Sequence, residues 1–226
     1  MKPGSSNRSQ TRALATRERL LNAGRRAFAH KGLDGTNLRE DILEPAGVSV
    51  GSFYHQFQDK TELLFAILHD DAERFRARLS AIHTPAPGRT LLDICRESYG
   101  MMFDRAESHE ECLRIQMRER DATDARVRQF LSDERARWIE SLARSFERIA
   151  AAGGIEVDAV LAAELIVALS MGTMASYLEL PRARRKRERT RMLEALCRFT
   201  LGGLSAAVTD EKSTPARADA PQRSSP

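Results

Sequence analysis

Aromatic residues make up only 6% of the 226-residue chain, with a single Trp, and there are just 8 Pro and 13 Gly. That shortage argues against a turn-rich all-β fold and excludes fibrous and collagen-like classes. Cysteine is too sparse for a disulfide scaffold: Cys95, Cys112 and Cys197 are odd in number, far apart and without a CxxC pair. An odd count fits a reducing compartment. Long hydrophobic runs are missing too. The longest uncharged apolar stretch, Leu165 to Leu178, covers 14 residues, against the roughly 20 that a spanning helix needs. Nothing near Met1 has the apolar core of a secretory signal. A cytoplasmic protein with no membrane partner is expected.

What is present is an ordinary globular balance, 42% hydrophobic and 30% charged, in a chain long enough for one large or two small domains. Arginine dominates the basic residues, 31 against 5 Lys, and the charge is unevenly placed. Residues 1–60 carry a net +4, residues 61–181 a net −6 and residues 182–226 a net +6. A basic first quarter on an acidic body points to a polyanion-binding head joined to a part with another task.

Helical periodicity recurs almost throughout, so the expected fold is all-α with about nine helices. Leu20, Leu21, Gly24, Ala27 and Phe28 share a face between Thr16 and Lys31, ending at Gly32. A short helix follows over Asn37 to Glu44, capped by Thr36 or Asn37; Ala46-Gly47-Val48 then makes a tight turn. Ser49 caps a second short helix to Gln56, and Asp59 a long one that stops before Pro85 and Pro87. Further stripes run through Leu92 to Phe103, Glu110 to Arg120, Val127 to Ile149, Val157 to Leu180 and Arg184 to Ala207. Val157 to Leu180 is apolar on nearly every face and must be covered on several sides. The expected organisation is a disordered basic arm over 1–11, a helix-turn-helix head over 12–60, a helical effector-binding and dimerisation body over 61–208, and a disordered tail over 209–226.

The turn at Gly47 has helix-turn-helix spacing, with glycine supplying the left-handed backbone and apolar neighbours locking the two helices together. In the helix that follows, Phe53 and Phe57 face inward. Val50, Ser52, Tyr54 and His55 are left on outer or flanking faces, where small residues permit close approach to a major groove.

The string Ala46-Gly47-Val48-Ser49-Val50-Gly51-Ser52-Phe53-Tyr54-x-x-Phe57, with Asp59-Lys60-x-x-Leu63-Leu64 after it, resembles the tetracycline-repressor (TetR) family of bacterial regulators. So do Arg17-x-x-Leu20-Leu21-x-Ala23-Gly24 and Phe28-x-x-x-Gly32 before it. The resemblance covers roughly the first quarter of the chain. It implies DNA contacts from Thr36, Asn37, Arg39, Ser49, Val50, Gly51, Ser52 and His55. Tyr54 and Lys60 correspond to the family's phosphate contacts. One departure stands out: the usual spacing to the turn valine is one residue shorter than Thr36 to Val48 here, and Pro45 replaces a helical residue. The first motif helix is therefore expected to bulge or to end early.

The resemblance further implies a homodimer through the last two helices, reading a double-stranded palindromic operator whose half-sites lie about 34 Å apart. It also implies a small apolar or amphipathic effector held in the body. Candidate lining is Phe75, Tyr99, Met102, Phe103, Met117, Trp138, Leu142, Met171 and Met174, adaptable apolar side chains suited to such a pocket. The leading expectation is a transcriptional repressor released by that effector. A thiol sensor using the three cysteines is the alternative; an all-helical enzyme finds no nucleophile–base pair or phosphate-cradling loop to support it. His69, Asp70, Asp71 and Glu73 lack the spacing of a metal site, so no metal and no cofactor is expected. The basic run Arg182 to Arg191 reads as a solvated helix start.

Overall fold

The structure is a computed structural model that describes residues 5–84, 86–153 and 157–210. Nine α-helices and no strand occur among the described residues: α1 Ser5–Gly35, α2 Glu44–Ala46, α3 Val50–Tyr54, α4 Lys60–Ile82, α5 Leu91–Ser108, α6 Glu110–Arg118, α7 Ala125–Gly153, α8 Ala159–Glu179 and α9 Arg182–Asp210. A π-helical segment, Leu38–Leu43, leads into α2, and a 3-10 turn, Glu119–Asp121, follows α6. The all-α expectation holds. The arm expected to be disordered over 1–11 is helical from Ser5 onward, and α9 runs on to Asp210; residues 1–4 and 211–226 lie outside the described residues.

Helix starts are set by short polar side chains that accept backbone N–H groups otherwise left without a partner. Asn37 Oδ1 accepts from Arg39 and Glu40, Ser49 Oγ from Ser52, Asp59 from Glu62 and Asp158 from Leu161. Thr90 and Asp93 exchange both bonds of a capping box at the start of α5.

Two hydrophobic cores result. The head core gathers Leu20, Phe28, Ile42, Phe53 and Phe57 with Leu63, Leu64, Ile67 and Leu68 of α4, and with Cys112, Ile115 and Val127 from the body side. The body core holds Phe75, Leu79 and Ile82 from the far half of α4 against α5, α7, α8 and α9. Helix α4 therefore belongs to both. The boundary expected at residue 60 cuts through the head core, because the four α4 residues that complete it lie at 63–68 and are at most 1% exposed. Each such side chain contributes roughly 1.5–3 kcal/mol of burial.

Helix α8 is long and apolar enough to cross a membrane by length and composition. It is packed on one side only: Ala163, Val167, Met174 and Tyr177 are buried while Val160, Leu161, Leu165 and Met171 are exposed. Phe199 of α9 is likewise exposed, at 73%.

Candidate nucleic-acid interface and body cavity

The extra residue in the first motif helix is absorbed as a π-bulge. Glu44 N–H reaches back five residues to the Arg39 carbonyl instead of four, so one residue is added without lengthening the helix by a full step. The capping arrangement stretches with it: Asp41 Oδ2 accepts the Asn37 N–H at 2.9 Å, one position later than an ordinary capping box. Pro45 sits in the first turn of α2, where its missing N–H costs nothing. The expected bulge is thus present, and Pro45 does not end the segment.

The turn that follows is a Schellman motif. Val48 N–H donates to the Leu43 carbonyl at 3.0 Å and Gly47 N–H to that of Glu44 at 3.1 Å, with Gly47 at φ 60°, a left-handed conformation that penalises any residue with a Cβ. Arg19 of α1 grips the turn from behind, donating through Nη1 to the carbonyls of Ala46 and Gly47.

Phe53 is fully buried, which fixes the rotation of α3 and turns its other face out. Val50 and Tyr54 are 51% and 57% exposed; Gly51 and His55 are exposed beside them. Ser52 is half-buried, with its Oγ 2.9 Å from that of Ser49. Asn37 and Arg39 lie on the surface at the start of the π-segment, Arg39 paired loosely with Glu44 at 3.5 Å.

Two expected contact residues sit differently. Thr36 is only 4% exposed, and its hydroxyl donates to the Gly32 carbonyl, so it closes the end of α1 and offers nothing outward. Lys60 turns inward: Nζ lies 2.7 Å from the Leu33 carbonyl, 3.1 Å from that of Thr36 and 3.5 Å from that of Asp34. An ammonium has three donors, and here all three have partners. The motif alone could not reveal this, since it depends on where α1 ends.

The head is tied to the body at several points. Gly32 breaks α1 at φ 73°, and just beyond it Leu33 N–H donates to Glu119 Oε1 at 2.8 Å. Phe65 stacks on Phe130 of α7, and Arg126 pairs with Asp59. Farther along α4, buried Asp71 accepts from Arg105 and His109 of α5 and its C-cap. On the other side, Glu134 of α7 accepts from His69, Arg76 and Arg137 at 2.6–2.7 Å. Burial alone would raise the Glu134 pKa, but these three donors hold it below the usual carboxylate value. Glu73 pairs with Arg76, so His69, Asp71 and Glu73 each have side-chain partners. In the basic run Arg182, Arg184, Lys186, Arg187 and Arg191 are exposed, whereas Arg185 is buried and donates to Glu110 and to the Leu180 and Leu178 carbonyls, a pairing that drives Glu110 down to about 2.

The body holds a half-open cavity of about 370 Å³ between the far half of α4 and helices α5, α7, α8 and α9. Phe75, Tyr99, Met102, Trp138 and Leu142 line it as expected. Four expected lining residues do not. Phe103 is buried edge-on against Tyr177, Met174 is packed within the core, and Met117 and Met171 are on the surface. Composition misled there, because only the rotation of each helix decides which face meets the hole. The polar part of the wall went unread: His83, Cys95, Ser98, Ser170 and Thr200. Ser98 Oγ is 2.9 Å from His83 Nε2, and Tyr99 OH is 2.5 Å from Thr200 Oγ1. Burial pushes Cys95 and Cys112 up to about 11 and raises Cys197 as well, the opposite of what a reactive thiol requires.

Residues 20–67 match the family model of bacterial regulatory proteins of the tetR family. The HTH-type transcriptional regulator UidR of Escherichia coli is 26% identical over 168 residues, spanning 74% of this chain and 83% of its own. The HTH-type transcriptional repressor AcnR of Corynebacterium efficiens is 27% identical over 63% of this chain and 70% of its own. A regulator assigned to the TetR family from Syntrophomonas wolfei shares the fold with a TM-score of 0.71, covering 84% of this chain and 95% of that one at 23% identity. With the helix-turn-helix and the all-helical body already described, these likenesses lead to one conclusion: the chain belongs to the TetR family and is a DNA-binding transcriptional regulator.

Proposed function

We propose that this protein is a repressor, not an enzyme, that acts in the cytoplasm and binds a palindromic operator as a homodimer. A small molecule taken into the body cavity releases it. The observation that carries this reading is the double membership of α4: Leu63 and Leu64 complete the head core while Phe75 and Leu79 form part of the cavity wall. A ligand that favours one packing of α5 and α7 around α4 over another acts on the head through the same helix. DNA contact falls to Asn37, Arg39, Ser49, Val50, Gly51, Ser52, Tyr54 and His55. The outer surface of α8 and α9 supports dimerisation, since Val160, Leu161, Leu165 and Phe199 are too apolar a group to leave in water.

Two measurements test the proposal. Selection from a random duplex pool should enrich a palindrome with half-sites about one helical turn apart. Phe199→Asp should yield monomers by sedimentation and lose that enrichment. A tight monomer in the wild type, or selection of a lone half-site, would overturn it.

A further inference from the structure

The cavity wall carries information about what it accepts, and the inference drawn from it rests on the effector reading just given. Among the described residues, no Asp, Glu, Lys or Arg lines the cavity. Two cations act on His83 of the wall from outside it: Arg89 is turned to the Ile82 carbonyl and Glu97, and Arg148 donates to Ser145. A carboxylate or an ammonium inside would lose its hydration with no opposite charge to meet it, the most expensive form of burial.

The polar side chains of the wall are mostly satisfied among themselves, His83 Nε2 with Ser98 and Tyr99 with Thr200. Two fully buried polar atoms are not. Trp138 Nε1 and His83 Nδ1 are buried without a hydrogen-bond partner, and both side chains belong to the wall. His83 is 4% exposed, so water does not serve it from outside. Buried polar groups are seldom left in this state. Trp138 stands edge-on to Phe75, which leaves its N–H, a donor with no accepting capacity, as the feature that a ligand oxygen would answer. His83, farther along α4 from Phe75, is held neutral, burial together with Arg148 and Arg89 lowering its pKa to about 4.

We propose that the cavity selects an uncharged, largely hydrocarbon ligand carrying one hydroxyl or carbonyl oxygen, which accepts from the indole N–H of Trp138. Chemically, the class is that of neutral ketones and alcohols with a compact ring or branched skeleton. Carboxylic acids and quaternary amines are outside it.

Trp138 is the single tryptophan of the chain, so its fluorescence and its one indole N–H resonance report directly on the site. The probes are four compounds of one skeleton: cyclohexyl phenyl ketone, cyclohexylphenylmethanol, benzylcyclohexane and cyclohexylphenylacetate. The ketone and alcohol should bind about tenfold more tightly than benzylcyclohexane and move the indole N–H resonance downfield; the carboxylate should bind more weakly than either. Trp138→Phe should abolish the preference for the ketone over the hydrocarbon while keeping hydrocarbon binding. The wild-type comparison alone is decisive if that variant does not fold. Equal binding of ketone and hydrocarbon, tightest binding of the carboxylate, or no binding by any of the four would overturn the proposal. Operator release in the same samples separates the two readings. A ketone that binds and leaves the operator bound sinks release but not the ligand class; a hydrocarbon that releases it as well as the ketone does the reverse.

Discussion

The ammonium of Lys60 lies 2.7 Å from the carbonyl oxygen of Leu33, joining the first turn of α4 to the end of α1 just past its kink at Gly32. With Thr36 and Asp34 as its other acceptors, Lys60 is a staple of the head. Lys60→Met keeps the apolar stem and removes the charge. It should lower the stability of the protein by about 2 kcal/mol, the range for hydrogen bonds made by a charged group, as read by thermal unfolding. The slope of log affinity against log salt should stay within a few tenths of the wild-type value. A slope lowered by about one unit would return Lys60 to the phosphate backbone.

Removal of Glu40 should be tolerated and even stabilising. This exposed residue lies within the π-helical segment, and its deletion leaves Asn37-Leu38-Arg39-Asp41, an ordinary capping box with the aspartate at the third position. The deletion variant should unfold at or slightly above the wild-type temperature. A large loss of stability would show that the bulge is needed to seat Ile42 and Leu43 in the core.

The outer face of α3 separates general from specific contacts. Tyr54→Phe should weaken binding to all duplexes alike, by about 1 kcal/mol for one hydrogen bond, because an exposed phenol at the rim of the helix suits a phosphate. Val50→Ala or Ser52→Ala should instead change which operator is enriched, leaving affinity for random DNA nearly intact. A Tyr54→Phe variant with altered sequence preference would reassign the roles.

Acid should weaken the body before it touches the carboxylates. His83 takes a proton at about 4 in the folded chain against an ordinary 6.5, so the unfolded state binds more protons between those values and stability rises with pH across them. The stabilisation from neutral His83 is complete above about pH 6.5 and is lost progressively as pH falls toward 4. His83→Gln should flatten the unfolding curve between pH 6.5 and 4.5, measured by denaturant midpoints. An unchanged pH dependence in that variant would place the titration elsewhere.

Much of this architecture was legible residue by residue, and the reasons differ. Ser49 and Asp59 announce their helices because capping is local chemistry, and Gly47 announces its turn because few residues tolerate the backbone it adopts. The extra residue before Val48 was countable, but its resolution as a π-turn depends on a single bond from Glu44 to Arg39. Lys60 meets acceptors more than twenty residues away in sequence, which no local motif announces. His83 and Ser98 carry no periodic signal that marks a cavity, whereas Met117 and Met171 carry an apolar signal and lie on the surface. Local pattern reports what a side chain is fit for; the rotation and crossing of helices decide what it meets.

The sharing of α4 between two cores bears on how such a protein can be cut and joined. A graft of the DNA-reading part onto another sensor body, made at residue 60, would strip the head of Leu63, Leu64, Ile67 and Leu68 and leave Phe28 and Phe53 facing water. A workable junction lies beyond Leu68, and the recipient must bring its own counterparts to Cys112, Ile115 and Val127. Recombination that respects this seam carries the reading surface and the first half of its lever together, so what can be exchanged between relatives is a unit longer than the DNA-contacting motif itself.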